Sequence, residues 1–202
     1  MSMLLRVPAT PHHGGLELRP WRDGDVPELI EVYRDPVLRH WTRHPVDDAR
    51  AAHRWLVRSR QGWAAGRRFA FAVREPRPGG DRLVATVVLK DVLPGRPHAE
   101  VGYWTAAWAR GRGVAPRAVQ AVTDWAFTRF AATGLIRLDL LHQVDNTASC
   151  RVAEKAGYPF QETLPARAPF PLDGHRHARH AAPPRASSGA RHQVAEPRNA
   201  RR

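Results

Sequence analysis

Apolar residues recur along the chain with two periods, and each change of period marks a new element. Leu16-Glu17-Leu18-Arg19-Pro20-Trp21 alternates apolar and polar, the pattern of a half-buried strand. Val26, Leu29, Ile30 and Tyr33 then fall at i, i+3, i+4 and i+7, one face of a helix. Asp25 is expected to cap that helix, with Glu28 at capping-box spacing and Pro27 tolerated in the first turn. A second helix is expected from Asp47, with Ala51, Trp55 and Leu56 turned inward and Gly62 and Gly66 ending it near Trp63.

The period then shortens to two. Strands are expected at Phe69 to Val73, Leu83 to Leu89 and Ala99 to Trp104, separated by Pro/Gly turns at 76–81 and 94–97. The β-branched run from Leu83 reads as a central strand. Arg112 to Ala132 returns to helical spacing, with Val114, Ala118, Val122 and Trp125 on one side and Gly134 at its end. Leu135 to Leu141 is an expected strand, Asn146 to Ala156 a helix closed by Gly157, and Tyr158 to Thr163 a short strand. The order β-α-α-β-β-β-α-β-α-β predicts an α+β fold with a mostly antiparallel sheet and one late β-α-β crossover.

Composition sets the limits of the folded part. Among 202 residues, 43% are hydrophobic, enough for one packed domain. Residues 1–14 are expected to form a flexible arm and 15–164 the folded domain. Residues 165–202 hold six prolines and eight arginines among few large apolar residues and are expected to be a disordered tail. The net charge is +13, and all the basic residues except Lys90 and Lys155 are arginine. No basic stripe with interleaved aromatics appears, so the charge reads as composition and nucleic acid is not expected as a partner. A single cysteine, Cys150, excludes an intrachain disulfide. No apolar run suits a signal peptide or a membrane span, so a cytoplasmic protein without membrane contact is expected.

Chemistry concentrates where the Ala99–Trp104 strand gives way to the long helix, at Arg110-Gly111-Arg112-Gly113-Val114-Ala115. The first N–H groups of a helix lack intrahelical partners and face the positive end of the dipole, so they suit an anion. Glycines let a pyrophosphate approach the backbone. The same residues could also be a plain tight turn. No Gly-Lys-Ser/Thr follows, which excludes a Walker loop, and Pro116 breaks the dinucleotide-binding spacing.

Arg110-x-x-Gly113-x-Ala115 resembles the Arg/Gln-x-x-Gly-x-Gly/Ala motif of GNAT N-acetyltransferases. Leu18-Arg-Pro-Trp21 and Asp25 onward are similar to that family's first strand and helix, and Glu100-Val-Gly-Tyr-Trp104 to its fourth strand. Asn146-x-x-Ser149 through Glu154-Lys-Ala-Gly-Tyr158 resembles the Asn-x-x-Ser…Glu-Lys-x-Gly-Phe element of the ribosomal-protein N-acetyltransferase branch. The resemblance spans roughly residues 15–177. It implies a GNAT-like sheet and acetyl-CoA as co-substrate, with direct transfer to a primary amine on a protein N-terminus or a small molecule.

It also implies roles. Backbone groups of Arg110, Gly111, Arg112, Gly113, Val114 and Ala115 would hold the pyrophosphate, and Tyr103 and Trp104 would also bind the cofactor. Gly102 is expected as a bulge where the fourth strand splays, or as simple packing under Trp104. Asn146 would fix a pantetheine amide or only cap its helix, and Ser149 would donate to the leaving sulfur. Glu100 is the candidate base, or else a carboxylate pairing an arginine. Arg151, with Lys155, could meet a 3′-phosphate or lie on a solvated face. Cys150 is not expected as a nucleophile, because no histidine at useful spacing accompanies it. His175, His177 and His180 lie in a Pro/Ala/Arg setting without a cysteine or buried carboxylate, so no metal is expected.

The resemblance departs after His177, where relatives continue into an apolar last strand and this chain reads Ala178-Arg-His-Ala-Ala-Pro-Pro184. The final strand is therefore expected to be missing. That leaves an alternative: an acetyl-CoA-binding module with an incomplete acceptor site and impaired catalysis. A homodimer is left open.

Overall fold

The computed structural model describes residues 3–42 and 45–182. Eight strands form one sheet in the order β1-β2-β3-β4-β5-β6-β8-β7. They are β1 (Leu5–Val7), β2 (Leu16–Pro20), β3 (Phe69–Glu75), β4 (Arg82–Lys90), β5 (His98–Thr105), β6 (Arg137–Gln143), β7 (Phe160–Leu164) and β8 (Gly174–His180). Every pairing is antiparallel except β5 with β6, which is parallel and joined by the crossover helix. The helices are α1 (Val26–Val32), α2 (Pro36–Trp41), α3 (Ala49–Ala64), α4 (Val114–Arg129) and α5 (Thr147–Lys155). The expected α+β class and mostly antiparallel sheet are observed.

Alternation along the strands builds a core on each face. Leu16, Leu18, Phe71, Val73, Val101, Leu138 and Leu140 pack with α4, whose Val114, Ala118, Val122 and Ala126 form one buried stripe. On the other face Ala70, Ala72, Val88 and Trp104 pack with Trp21, Leu29, Val32, Leu38 and Leu56 from α1–α3 and the segment before them. Asp48 rather than Asp47 starts α3, accepting a 2.7 Å bond from the N–H of Ala51. The unexpected α2 has a local signal, Pro36 in the first turn and the Asp35 carboxylate accepting from the N–H groups of Val37 and Leu38.

Asp25 and Glu28 do not form the expected capping box. Asp25 is 2% exposed, and its carboxylate accepts from both Arg19 Nη atoms at 2.8 and 2.7 Å. It also accepts from Arg74 Nη1 at 3.0 Å and from the N–H of Arg22 at 2.8 Å. Glu28 reaches across to the N–H of Leu83 at 2.9 Å and to Arg74 at 2.6 Å. The two carboxylates serve as tertiary anchors, because the buried Arg74 and the partly buried Arg19 require compensating charge.

The final strand is present, which corrects the expectation that it is missing. β8 pairs with β6 from Arg137↔His180 to Gln143↔Gly174, and with β7 on its other side. Main-chain bonds to two neighbours hold it without an apolar alternation, and its long polar side chains find partners. Arg176 pairs with Glu162 at 2.6 Å, Arg179 with Asp124 at 3.1 Å, and buried His177 places Nδ1 3.1 Å from the carbonyl of Tyr158. The sheet thus extends on both sides of residues 15–164, since β1 also lies within the expected arm. Arg117 holds that arm on α4 through the carbonyls of Gly14 at 2.8 Å and Pro8 at 2.5 Å. The rest of the expected tail, 183–202, lies outside the described residues.

Candidate active site

β5 and β6 part company halfway along. Their parallel pairing runs from His98↔Arg137 to Val101↔Leu140 and stops there. Beyond that point Gly102–Thr105 stay paired to β4, while Leu141–Gln143 stay paired to β8. A wedge opens between the strands, with free edges of main chain facing each other. Gly102 sits at its vertex but is not a bulge, since Val88↔Gly102 is in regular register. A Cβ there would lie 3.0 Å from Lys90 Cε, the end of a flexible side chain that can swing aside.

The end of β5 leads into the glycine turn. Gly111 and Gly113 have φ of 73° and 67°, the left-handed region that glycine enters without strain. Gly113 is the N-cap of α4, and Pro116 occupies the first turn without breaking it. The first N–H groups, including those of Val114 and Ala115, therefore lack acceptors within the helix. The two guanidiniums of the turn are engaged in ion pairs. Arg110 pairs with Asp35 at the start of α2, and Arg112 pairs with Glu75 at 2.5 Å. Burial alone would raise the Glu75 carboxyl, but Arg77 and Arg112 hold it below its usual value. His13 covers one flank of the turn, and a cavity of about 270 Å³ lies there among His12, His13, Glu75, Arg112 and Arg117. A larger cleft of about 720 Å³ follows the outer side of α3 and includes none of the turn, wedge or α5 residues.

The other candidates divide between the two faces of the sheet. Tyr103 lies on the α4 side and bonds Ser149 on α5, hydroxyl to hydroxyl, at 2.9 Å. Burial pushes the Tyr103 phenol up to about 12, so it keeps its proton at neutral pH. Asn146 caps α5, its Oδ1 accepting from the N–H of Ser149 at 3.1 Å. Arg151 is exposed on the same helix. Trp104 lies on the α1–α3 face against Tyr33 and Trp21, so its side chain contributes a wall there. Glu100 alternates onto that same face, where it pairs with Lys90. Its parallel neighbour Asp139 pairs with Arg137 at 3.0 Å. Ser149 and Glu100 are thus on opposite sides of the sheet, with the wedge as the opening between them.

Cys150 does have a histidine beside it. Sequence spacing hid the pair, which forms only when β8 lies against α5 and brings His175 Nδ1 within 3.4 Å of the Cys150 sulfur. Burial pushes the thiol up, with Glu154 adding to the effect, the reverse of what activates a thiolate nucleophile. His142 on β6 and His177 on β8 complete a four-residue cluster with this pair.

A profile described as acetyltransferase (GNAT) domain matches residues 15–159. No curated protein matches. Among solved structures, RimJ of Mycobacterium smegmatis in complex with CoA-disulfide superposes with a TM-score of 0.72 at 24% identity, covering 89% of this chain and 87% of its own. The Salmonella typhimurium acetyltransferase that modifies the N-terminal serine of ribosomal protein L7/L12 gives 0.70 at 18% identity, covering 88% and 99%. MccE, the microcin C7 self-immunity acetyltransferase in complex with acetyl-CoA and AMP, gives 0.71 at 14% identity, covering 85% and 98%. The profile spans most of the chain, from β2 through α5, and takes in both the wedge and the glycine turn: the chain belongs to the GNAT acetyltransferase family.

Proposed function

We propose that this enzyme moves the acetyl group of acetyl-CoA directly to a primary amine, on a protein N-terminus or a small molecule. The observation that carries the reading is the wedge between β5 and β6, continuous with an amide-lined turn. A pantetheine arm fits the wedge by pairing with a free strand edge. The pyrophosphate would then meet the N–H groups of Gly111 to Ala115, with Asn146 and Arg151 along α5; the Arg110 N–H, expected to join them, donates to the carbonyl of Ala107 at 3.4 Å. The thioester would lie between the faces, with Ser149 on its sulfur side and the amine approaching from the side of Glu100 and Trp104. Structures of an N-terminal serine acetyltransferase among the fold neighbours support a peptide acceptor.

In the reaction the amine nitrogen attacks the carbonyl carbon and the oxygen becomes an oxyanion. A backbone N–H of β5 at the wedge would stabilise it. The carbon–sulfur bond breaks, and the thiolate takes a proton from Ser149, which solvent restores, while the protonated Tyr103 hydroxyl orients Ser149. The surplus proton of the amine leaves to Glu100, directly or through water. The Lys90 ion pair favours a second reading, in which Glu100 only shapes the acceptor face and water takes the proton. The presence of β8 removes the reason for expecting an impaired module. Among the described residues no helix is long and apolar enough to cross a membrane. A cytoplasmic location remains part of the proposal, in keeping with a lone thiol that stays reduced there.

Thiol release from acetyl-CoA, screened over amines and N-terminal peptides, tests the proposal; no turnover with any acceptor would refute it. Glu100→Gln removes basicity and keeps shape. A base role predicts a loss on the order of a hundredfold at pH 7 that shrinks at high pH, with acetyl-CoA affinity kept. Unchanged turnover at saturating amine assigns the proton to solvent. Ser149→Ala should cost less than a true base, because water also protonates a thiolate.

A further inference from the structure

Below α5 the fold assembles one thiol and three imidazoles drawn from three elements. Cys150 comes from α5, His142 from β6, and His175 and His177 from β8. Register places His142 opposite His175, and His177 opposite Leu140, whose side chain belongs to the α4-side core. All four side chains therefore share the α4–α5 face. One potential ligand atom from each lies within 4.8 Å of every other.

The hydrogen bonds leave these groups arranged as ligands. His142 Nδ1 lies 2.7 Å from the carbonyl of Gln143, and His177 Nδ1 lies 3.1 Å from that of Tyr158. A carbonyl only accepts, so Nδ1 carries the proton in both rings and Nε2 presents a lone pair. Both Nε2 atoms are buried and have no hydrogen-bond partner among the described residues. His177 is only 1% exposed, so its unpaired nitrogen costs free energy as it stands. His142 and His177 stack, with ring centroids 5.2 Å apart. Carbonyl bonds of this kind orient metal-ligating histidines.

We propose that His142, Cys150, His175 and His177 form a structural zinc site. A tetrahedral zinc with bonds of about 2.3 Å to sulfur and 2.0–2.1 Å to nitrogen has ligand–ligand edges of roughly 3.3–3.6 Å. The Cys150 sulfur and His175 Nδ1 are already 3.4 Å apart. The others need side-chain adjustments of about 1 Å to close on the same centre. On binding, three neutral imidazoles donate lone pairs. The thiol loses its proton to solvent as the sulfur–zinc bond forms. Four protein ligands leave no open position, so the site is structural rather than hydrolytic. It would tie α5 to β6 and β8 one residue from Ser149. It also supplies a reason for the polar sequence of β8. The inference does not depend on the acyl-transfer chemistry.

The test uses the full chain, stripped with chelator and titrated with cobalt(II). One cobalt per chain should give the visible bands of a tetrahedral ion together with thiolate-to-cobalt charge transfer, and one equivalent of zinc should abolish both. Zinc should also slow alkylation of Cys150. Cys150→Ser, a near-isosteric change, should remove the charge-transfer band. His142→Gln should weaken zinc binding about a hundredfold or more, since even indirect partners of ligands are worth 10–100-fold. Thermal unfolding checks that each variant folds. A folded wild-type chain that takes up no cobalt in tetrahedral geometry overturns the site. So does charge transfer that survives in Cys150→Ser, or zinc affinity unchanged in folded His142→Gln.

Discussion

Asp25 is where a single side chain bears most on stability. Its burial would raise the carboxyl, but the Arg19 bond, the Arg22 N–H and the Arg74 charge outweigh this and hold it below the usual 3.8. Glu75 is likewise held below 4.5. A carboxylate titrating lower in the folded chain contributes stability that is complete above the unfolded value and is lost as pH falls through the folded one. Chemical denaturation should therefore give a plateau above about pH 5 and a decline below about pH 4. Asp25→Asn keeps the shape and leaves Arg19 short of its counter-charge. It should cost about 3 kcal/mol, and the acid decline should become shallower. Individual roles were legible in the sequence only where the neighbour was local. Asn146 capping Ser149 is such a case. The partners of Asp25, Glu100 and Cys150 lie on other strands, so periodicity could not name them.

At the level of elements, the glycine turn was readable because its chemistry is local: positive φ needs glycine, and a helix start needs no distant residue. Its side-chain charges were not, because Arg110 and Arg112 answer to Asp35 and Glu75 from elsewhere in the fold. Acetyl-CoA should raise the melting temperature of the wild-type chain, since it binds only the folded state. Gly113→Asp should abolish that rise. It adds negative charge at the amides and a Cβ 3.0 Å from His13 Nε2 at a φ of 67°. Gly111→Ala meets nothing within 4 Å, so it should cost only backbone strain of about 1–2 kcal/mol and keep a smaller rise. A full rise in folded Gly113→Asp would move the phosphates elsewhere. β8 was the element the pattern could not show. Alternation reports a strand that buries one apolar face, whereas β8 buries a histidine and is held by two neighbouring strands.

For the molecule as a whole, the class and the crossover followed from element order, since a strand-helix-strand unit in one sheet leaves few topologies. The wedge did not, because it is set by where pairing with two different neighbours ends. The wedge joins two faces, with the amide-lined turn and Ser149 reached from one and Glu100 with Trp104 from the other. Under the proposed function the two reactants arrive through separate doors, so they need not take turns, and neither must leave before the other binds. Initial-rate plots at varied acetyl-CoA and amine should therefore intersect rather than run parallel. A dead-end amine analogue should compete with amine but not with acetyl-CoA. No acetylated enzyme should accumulate when the acceptor is withheld, so a burst of free thiol under those conditions would mean that the acetyl group pauses on the protein.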